Sequence, residues 1–557
     1  MPSTRHNTFH FSVKRLLQNL PIAIAAIVLI LTFSYRASAY TLLGGTSAGF
    51  LFFTLLFILS ARLKFSLLST SALIAYIWLL SLIKKIFWKE KLFFSDFEVL
   101  LDPNNFETVA HYPLPAAVVL FVTILLGFLL VRAFKAETPT VLNFSKRTLI
   151  GLPVMAVCAG LTVFSVAKGQ AAWLNSMPKG SNVVANLIMS AKLQYNSPAA
   201  VMHSDEVFPV ETEKALDKTQ ALPDVVVLLQ ESTTNPLYFK GLDTSTLPDM
   251  SMFDSPTATV QGPLRVHTYG GATWKSEFSM WTGLSCDDFA PLANSVFYSA
   301  VFHVQDSLFQ RLKNAGYKIV VVSPFQPGSY NSGKAYAHLG MDEQLHPADL
   351  GYPAERRKNL WHIKTASMIE MIKKALDRYE GPIAIYSLTM REHGPYPTEG
   401  SETLNIKTQN GFDVPDNERV TLQNYFNRID ESSAAVAAFD RWIHERNKPT
   451  VLLRFGDHQP ALKWSPGYTV PFESPEYITH FTLVDNRSQE HVTRSQLMDI
   501  VFLPSLLLDH VPIEKGRFFE TNSRMRELCD GRYLDCPDTR LLKAYQNEIF
   551  VNQRIAE

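Results

Sequence analysis

Before residue 170 the chain carries five long apolar runs, roughly Leu20–Tyr35, Gly49–Ala61, Leu67–Ile83, Leu114–Val131 and Leu149–Val166. A bilayer core is crossed by about 20 apolar residues in helix, because hydrocarbon leaves no unpaired backbone group a partner. A cleaved leader accounts for the first run alone and not for the others. The second run is short unless Gly44–Ser47 extends it. Residues 1–169 are therefore expected to form a five-helix transmembrane domain, and the chemistry must sit C-terminal to them.

Basic residues orient the spans. Arg5, Lys14 and Arg15 precede the first run, Arg62 and Lys64 follow the second, and Arg132, Lys135, Lys146 and Arg147 follow the fourth. All three groups fall on one side, which the excess of Lys and Arg marks as cytoplasmic. Everything past about residue 170 then lies outside. Lys84, Lys85, Lys89 and Lys91 fall on the outer side, balanced by Asp96, Glu98, Asp102 and Glu107. Phe87–Leu101, with Trp88, Phe93, Phe94 and Phe97, reads as an interfacial amphipathic segment or as a solvated loop. Gly45-Thr46-Ser47-Ala48-Gly49 has the G-x-S-x-G form of serine hydrolases. That motif needs a strand–turn–helix in a soluble sheet, whereas here it opens an apolar run, where small residues serve helix packing.

Residues 170–222 are polar and mixed and read as a linker. From 223 to 557 the pattern is that of a soluble domain. Asp224–Glu231 is a continuous apolar run ending in an acid, as a strand buried on both faces requires. Tyr317–Val322, Pro382–Leu388 and Thr450–Phe455 repeat that pattern. Helical stretches at Val304–Asn314, Leu360–Tyr379 and Glu418–Arg446 alternate with them. This alternation predicts an α/β domain with a mostly parallel central sheet covered by helices. Lys+Arg and Asp+Glu both number 52, so charge offers nothing to a nucleic acid.

In such sheets ligands bind beyond the carboxyl ends of the strands. Glu231 follows the first strand, Thr389-Met390-Arg391-Glu392-His393-Gly394-Pro395-Tyr396 the third, and Gly456-Asp457-His458-Gln459 the fourth. Between them, His267-Thr268-Tyr269-Gly270-Gly271-Ala272-Thr273 runs into a helix-forming stretch, Trp274 to Trp281. A hydroxyl at a helix start faces unpaired N–H groups and the positive end of the dipole, where phosphate can be held. A simple Thr N-cap is the plainer reading of the same residues. Glu, Asp, His and a Thr hydroxyl together make a nitrogen-and-oxygen donor set suited to one divalent ion, Zn²⁺ or Mn²⁺. Taken singly, each of these is an ordinary loop residue; it is their coincidence at strand ends that carries weight. Of four cysteines, Cys529 and Cys536 lie close together in a polar segment, and an oxidising compartment would join them.

The soluble part resembles the alkaline-phosphatase and sulfatase superfamily. The whole chain resembles its membrane branch, the lipoteichoic acid synthases and the phosphoglycerol and phosphoethanolamine transferases. The likeness rests on the strand ending in Glu231, Thr273 followed by Ser276-Glu277-Phe278, His393-Gly394-Pro395-Tyr396, and Phe455-Gly456-Asp457-His458. It implies that Glu231, Thr273, Asp457 and His458 hold a metal, that Thr273 is the nucleophile, and that His393 contacts the substrate phosphate or a second metal, from where it would orient the phosphate or serve as acid or base. Tyr330, Asn331 and Lys334 lie where lipoteichoic acid synthases carry a Trp-Asn-Arg run, which implies substrate binding. Tyr330 and Ser332 replace the Trp and Arg, so a polyglycerol-phosphate polymerase is not implied. The resemblance further implies a multi-pass protein of the bacterial cytoplasmic (inner) membrane, with its catalytic domain on the periplasmic or extracellular side. Its expected partners are the membrane, a phospholipid donor of phosphoethanolamine or phosphoglycerol, and an envelope glycan or lipid acceptor. A hydrolase of the same fold and a non-catalytic lipid-binding regulator are the alternatives. Thr273-Trp274-Lys275 does not fit the C/S-x-P-x-R context of sulfatases, and none of the four metal-ligand positions is lost.

Overall fold

The computed structural model describes residues 39–88, 91–103, 113–176, 183–191, 205–209, 220–396, 406–409, 414–462, 467–488 and 493–557. Two compact units emerge, one of residues 1–97 and 108–195, the other of 98–107 and 196–557.

Among the described residues of the first unit, four helices are long and apolar enough to cross a membrane: Ala39–Ser60, Leu63–Ile86, Pro113–Ala136 and Phe144–Gly169. They correspond to the second to fifth predicted runs. The first run, Leu20–Tyr35, lies outside the described residues, as do Arg5, Lys14, Arg15, Lys89 and most of the expected linker. The second run begins ten residues earlier than its apolar core suggests, so Gly44–Ser47 does extend it. Small residues bring this helix against Phe144–Ser176: a Cβ on Gly44 would lie 2.7 Å from Ser165 Oγ. Ser47 sits inside the helix, its Oγ donating to Leu43 O at 2.7 Å and lying 2.8 Å from Thr162 Oγ1. The G-x-S-x-G match is thus a helix-packing feature. Past the second span, Phe93 is buried against Trp173, ring centroids 6.4 Å apart, and Lys84 pairs with Asp96 at 2.7 Å.

Among the described residues the second unit is built on one nine-stranded sheet: β1 Asp224–Gln230, β2 Val260–Arg265, β3 Lys318–Val322, β4 Glu343–Leu345, β5 Ile383–Leu388, β6 Thr450–Gly456, β7 Ile478–Asp485, β8 Thr493–Arg494 and β9 Met498–Asp499. The order is β4-β3-β5-β1-β6-β7-β2-β8, with β9 also on β2. β1, β5, β6 and β7 are buried along their whole length, which is why β1, β5 and β6 read as unbroken apolar runs.

The sheet is mostly parallel, as expected, but mixed, because one central strand runs the other way. β4 through β6 run parallel, but β7 is antiparallel to both β6 and β2. A parallel partner needs a crossover of a dozen or more residues, usually a helix. Between Gly456 and Ile478 the described chain holds only the three-residue turn Pro475–Tyr477, so β7 returns beside β6 in the opposite sense. The parallel part sets the site. Leu229 is level with Leu388, and Gln230 with Gly456, so the segments following β1, β5 and β6 leave at one edge.

Candidate active site

The turn into the helix Thr273–Thr282 is left-handed at three successive residues: Gly270 (φ 69°), Gly271 (φ 152°) and Ala272 (φ 62°). Gly270 has a second constraint, since a Cβ there would lie 2.9 Å from Ala461 Cβ. Ala272 occupies the N-cap and has no side chain to accept from the first helical N–H groups. The plainer expectation, a capping threonine, is therefore replaced: Thr273 is the first helical residue. The helix start is open to an acceptor from elsewhere.

Thr273 Oγ1 donates to Glu231 Oε2 at 2.9 Å. Its hydroxyl neighbours are committed to the backbone or buried. Thr268 Oγ1 donates to Gly271 O at 2.6 Å, Ser276 Oγ donates to Asp457 O at 2.5 Å, and Ser279 is fully buried. Across from Thr273, His458 Nε2 lies 3.3 Å from both Glu231 Oε1 and Asp457 Oδ2. Glu231, Asp457 and His458 are each at least 98% buried. Asp457 Oδ1 accepts from the N–H groups of Ser232 and His458, at 2.7 and 2.8 Å, which fixes the carboxylate and turns Oδ2 inward.

Such a concentration of buried charge perturbs every member. Burial raises the Glu231 carboxyl, but the His458 ring beside it, and then His393, more than offset that and bring it to about 2. Asp457 is pushed well above its usual range by burial and by the negative charge of Glu231. Burial disfavours the His458 cation, yet Asp457 and Glu231 hold its pKa up at about 9. A carboxylate pair with one imidazole thus stays together only by sharing protons, or a cation in their place.

The residues fit a divalent ion. One ligand atom each from Glu231, Asp457 and His458 falls within 4.8 Å of the others. Asp457 Oδ2 and His458 Nε2 are buried and make no hydrogen bond, an arrangement that costs free energy unless a ligand completes it. His458 Nδ1 donates to Gln459 O at 3.0 Å. That bond sets the tautomer and turns the Nε2 lone pair into the cluster, as metal-bound imidazoles require.

The loop after β5 brings in His393. Its ring lies close enough to Glu231 to lower that carboxyl, and its Nδ1 donates to Gly394 O. The loop is clamped by Arg428, from the helix Asp416–His444, which the sequence did not single out. Its guanidinium donates to His393 O at 2.5 Å and Pro395 O at 3.3 Å, and stacks on Tyr396 at 5.1 Å.

The other expected residues are spread out. Tyr330 packs its ring on Trp274, centroids 5.9 Å apart. Asn331 donates its amide to Phe297 O at 2.6 Å. Asn331 and Lys334 line a cavity of about 630 Å³ together with Asp102, Tyr298 and Phe302. Cys529 and Cys536 form a disulfide, Cα atoms 5.7 Å apart.

One buried acid of the sequence motif was given no role. Glu277, a turn beyond Thr273, accepts from the hydroxyls of Tyr336 and Tyr386 at 2.5 and 2.7 Å. Burial raises its carboxyl to about 7 against those bonds. Its sequence neighbours gave no sign of the tyrosines. A hydrogen-bond chain of triad type also exists: Ser285 Oγ to His267 Nδ1 at 2.9 Å, and His267 Nε2 to Asp499 Oδ2 at 3.1 Å. Ser285 is wholly buried, so that chain braces the fold and reaches no substrate.

Comparison with known proteins adds the family. The sulfatase family profile matches residues 223–513. An uncharacterised protein of Haemophilus influenzae is 34% identical over 551 residues, covering 96% of this chain and 98% of that protein. The capsular polysaccharide biosynthesis protein RkpI of Rhizobium meliloti is 23% identical over 407 residues, 70% of this chain and 71% of its own. Among solved structures, the phosphoglycerol transferase GacH of Streptococcus pyogenes aligns with a TM-score of 0.48 at 19% identity, over 59% of this chain and 84% of that one. The profile match spans more than half of the chain: this chain belongs to the sulfatase family, and among the described residues four helices of membrane-spanning length precede the family's domain.

Proposed function

We propose that the chain is a metal-dependent transferase. It moves a phosphorylated head group, phosphoethanolamine or phosphoglycerol, from a membrane phospholipid to a cell-envelope glycan or lipid through a covalent adduct on Thr273. In this reading residues 1–169 anchor the protein in the cytoplasmic membrane, 170–222 are a linker, and 223–557 are the catalytic domain on the outer side. The observation that carries it is Thr273 Oγ1, 2.9 Å from Glu231 Oε2 at an uncapped helix start, beside the Asp457–His458 pair. RkpI, by its name a polysaccharide biosynthesis protein, favours a glycan among the acceptors.

A divalent ion of the Zn²⁺ or Mn²⁺ type, held by Glu231, Asp457, His458 and Thr273 Oγ, would make the hydroxyl more acidic and offset charge on the phosphoryl oxygens. The chain's own residues do the rest. The open N–H groups at Thr273 orient the phosphate. Thr273 Oγ bonds to phosphorus as its proton passes to water, since Glu231, at about 2, is too weak a base to keep it. The bond from phosphorus to the diacylglycerol oxygen breaks, and that oxygen takes a proton from His393. In the second half an acceptor hydroxyl returns a proton to His393 and bonds to phosphorus. The Thr273–phosphorus bond then breaks, and Oγ recovers a proton from water. Arg428 holds His393 in place for both halves.

The test uses the full chain in vesicles carrying phosphatidylethanolamine or phosphatidylglycerol labelled in the head group, with envelope glycan and lipid fractions as acceptors. Label in an acceptor, with diacylglycerol released, supports the transferase. Label released only to water would make the protein a hydrolase.

A further inference from the structure

Five half-buried rings connect the two ends of the site. Trp274, next to Thr273, packs on Tyr330 with planes 31° apart. Tyr330 meets Phe325 at 5.9 Å, Phe325 meets Trp361 at 5.2 Å, and Trp361 meets His393 at 4.9 Å, each edge to face. These rings come from four separate segments: the start of the Thr273 helix, the loop after β3, the turn Ala354–His362 and the loop after β5. The rings one layer deeper, Trp281, Tyr336 and Tyr386, are fully covered; the five of the arc are not. An aromatic surface kept partly exposed beside a nucleophile is a recognition surface, since burying it completely would be the more stable use of it.

Charge decides what it recognises. An aromatic cage for an ammonium group works best with an acid exposed to it. The acid behind this arc is Glu277, wholly buried and bonded to Tyr336 and Tyr386. Of the charged groups flanking the arc, Glu431 is taken up by Arg391 and Lys364, at 2.5 and 2.6 Å, and Lys334, four residues beyond Tyr330, is exposed. An ammonium head group is disfavoured there. A neutral ring with an apolar C–H face and a polar rim is not. We infer that the arc centred on Phe325 and Trp361 is an acceptor subsite that stacks a neutral sugar ring of an envelope glycan and holds its hydroxyl between Thr273 and His393. This inference rests on the transfer reading and narrows its acceptor from glycan or lipid to glycan.

Three rates separate the two ideas: labelling of Thr273 from head-group-labelled phosphatidylethanolamine and phosphatidylglycerol vesicles, release of label to water, and transfer to the delipidated glycan fraction of the producing cells' envelope. The full-length Phe325→Leu protein should label Thr273 and hydrolyse at the parent rate, while Trp361→Ala, which removes a ring packed on His393, is read only by its KM for glycan. Their KM for glycan should rise by about tenfold, the loss expected of one stacking contact. Trp361→Phe, which keeps a ring face, should recover most of the affinity. Phe325→Leu is the cleaner variant, because the ring of Phe325 packs on Tyr330 and Trp361 rather than on the ring of His393. Equal losses in labelling and transfer by Phe325→Leu, or a glycan KM unchanged in both variants, would overturn the subsite. A parent that labels Thr273 yet passes label only to lipid refutes the glycan subsite alone. A parent that never labels Thr273 refutes the transfer reading and this one with it.

Discussion

Replacing Glu277 by Gln keeps the side-chain shape and removes one ionisation. In the folded protein the carboxyl titrates near 7, against an ordinary 4.5, because burial penalises its charge more than Tyr336 and Tyr386 relieve it. A carboxyl raised on folding binds more protons in the native state between those two values, so stability is full below about pH 4.5 and declines as pH rises to 7. At about 1.4 kcal/mol per pH unit, Glu277 alone costs on the order of 3 kcal/mol by pH 8. For a unit of this size that is roughly 4 °C in the unfolding midpoint. The assay is thermal unfolding of chelator-treated parent and E277Q proteins in detergent at pH 5 and pH 8. Burial also raises Asp288 and Glu392 to about 7, so both proteins should lose stability with pH. The parent should lose more, by the Glu277 share, and E277Q should match or exceed it at pH 8. Parallel pH profiles for the two proteins would show that Glu277 is already ionised at no cost, and the account of this buried acid would be wrong.

The same geometry sets three more outcomes. Asp457→Ala should strip the bound metal, measured by elemental analysis, and abolish transfer, while circular dichroism stays unchanged because Asp457 lies beyond the end of β6. Arg428→Met should leave metal content intact and lower kcat by roughly 10- to 100-fold, since a freed His393 loop loses its near-attack position; retention of full kcat would remove Arg428 from the site's support. An alkaline-phosphatase fusion at the C-terminus should be active and a cytoplasmic-only reporter silent; the reverse pattern would refute both the orientation and the lipid donor.

The strands that could be read from the chain were those buried on both faces. Val225–Leu229 and Val451–Phe455 have no polar position to confuse the pattern except Arg454, whose guanidinium is neutralised by Asp440 at 2.8 Å. β7 was hidden because Thr479, His480, Thr482 and Asp485 interrupt it. Those residues are buried nonetheless, Thr479 Oγ1 donating to Gly456 O at 2.7 Å and His480 Nε2 lying 3.0 Å from Gln230 Oε1. Tertiary hydrogen bonds, invisible in sequence, made polar residues fit a central strand. The site divides the same way. Glu231, Thr273, Asp457 and His458 sit at element ends, where local pattern predicts convergence. Glu277 and Arg428 act through partners far away in the chain, and the rings of the arc come from four segments that only the fold assembles.

The central claim is that Thr273 becomes covalently loaded. The direct measurement is peptide mass spectrometry of full-length protein quenched during turnover with its phospholipid donor. The account predicts a phosphorylated head group on Thr273, none in Thr273→Ala, and partial activity in Thr273→Ser. An adduct on Ser276, or full transfer by Thr273→Ala, would contradict it.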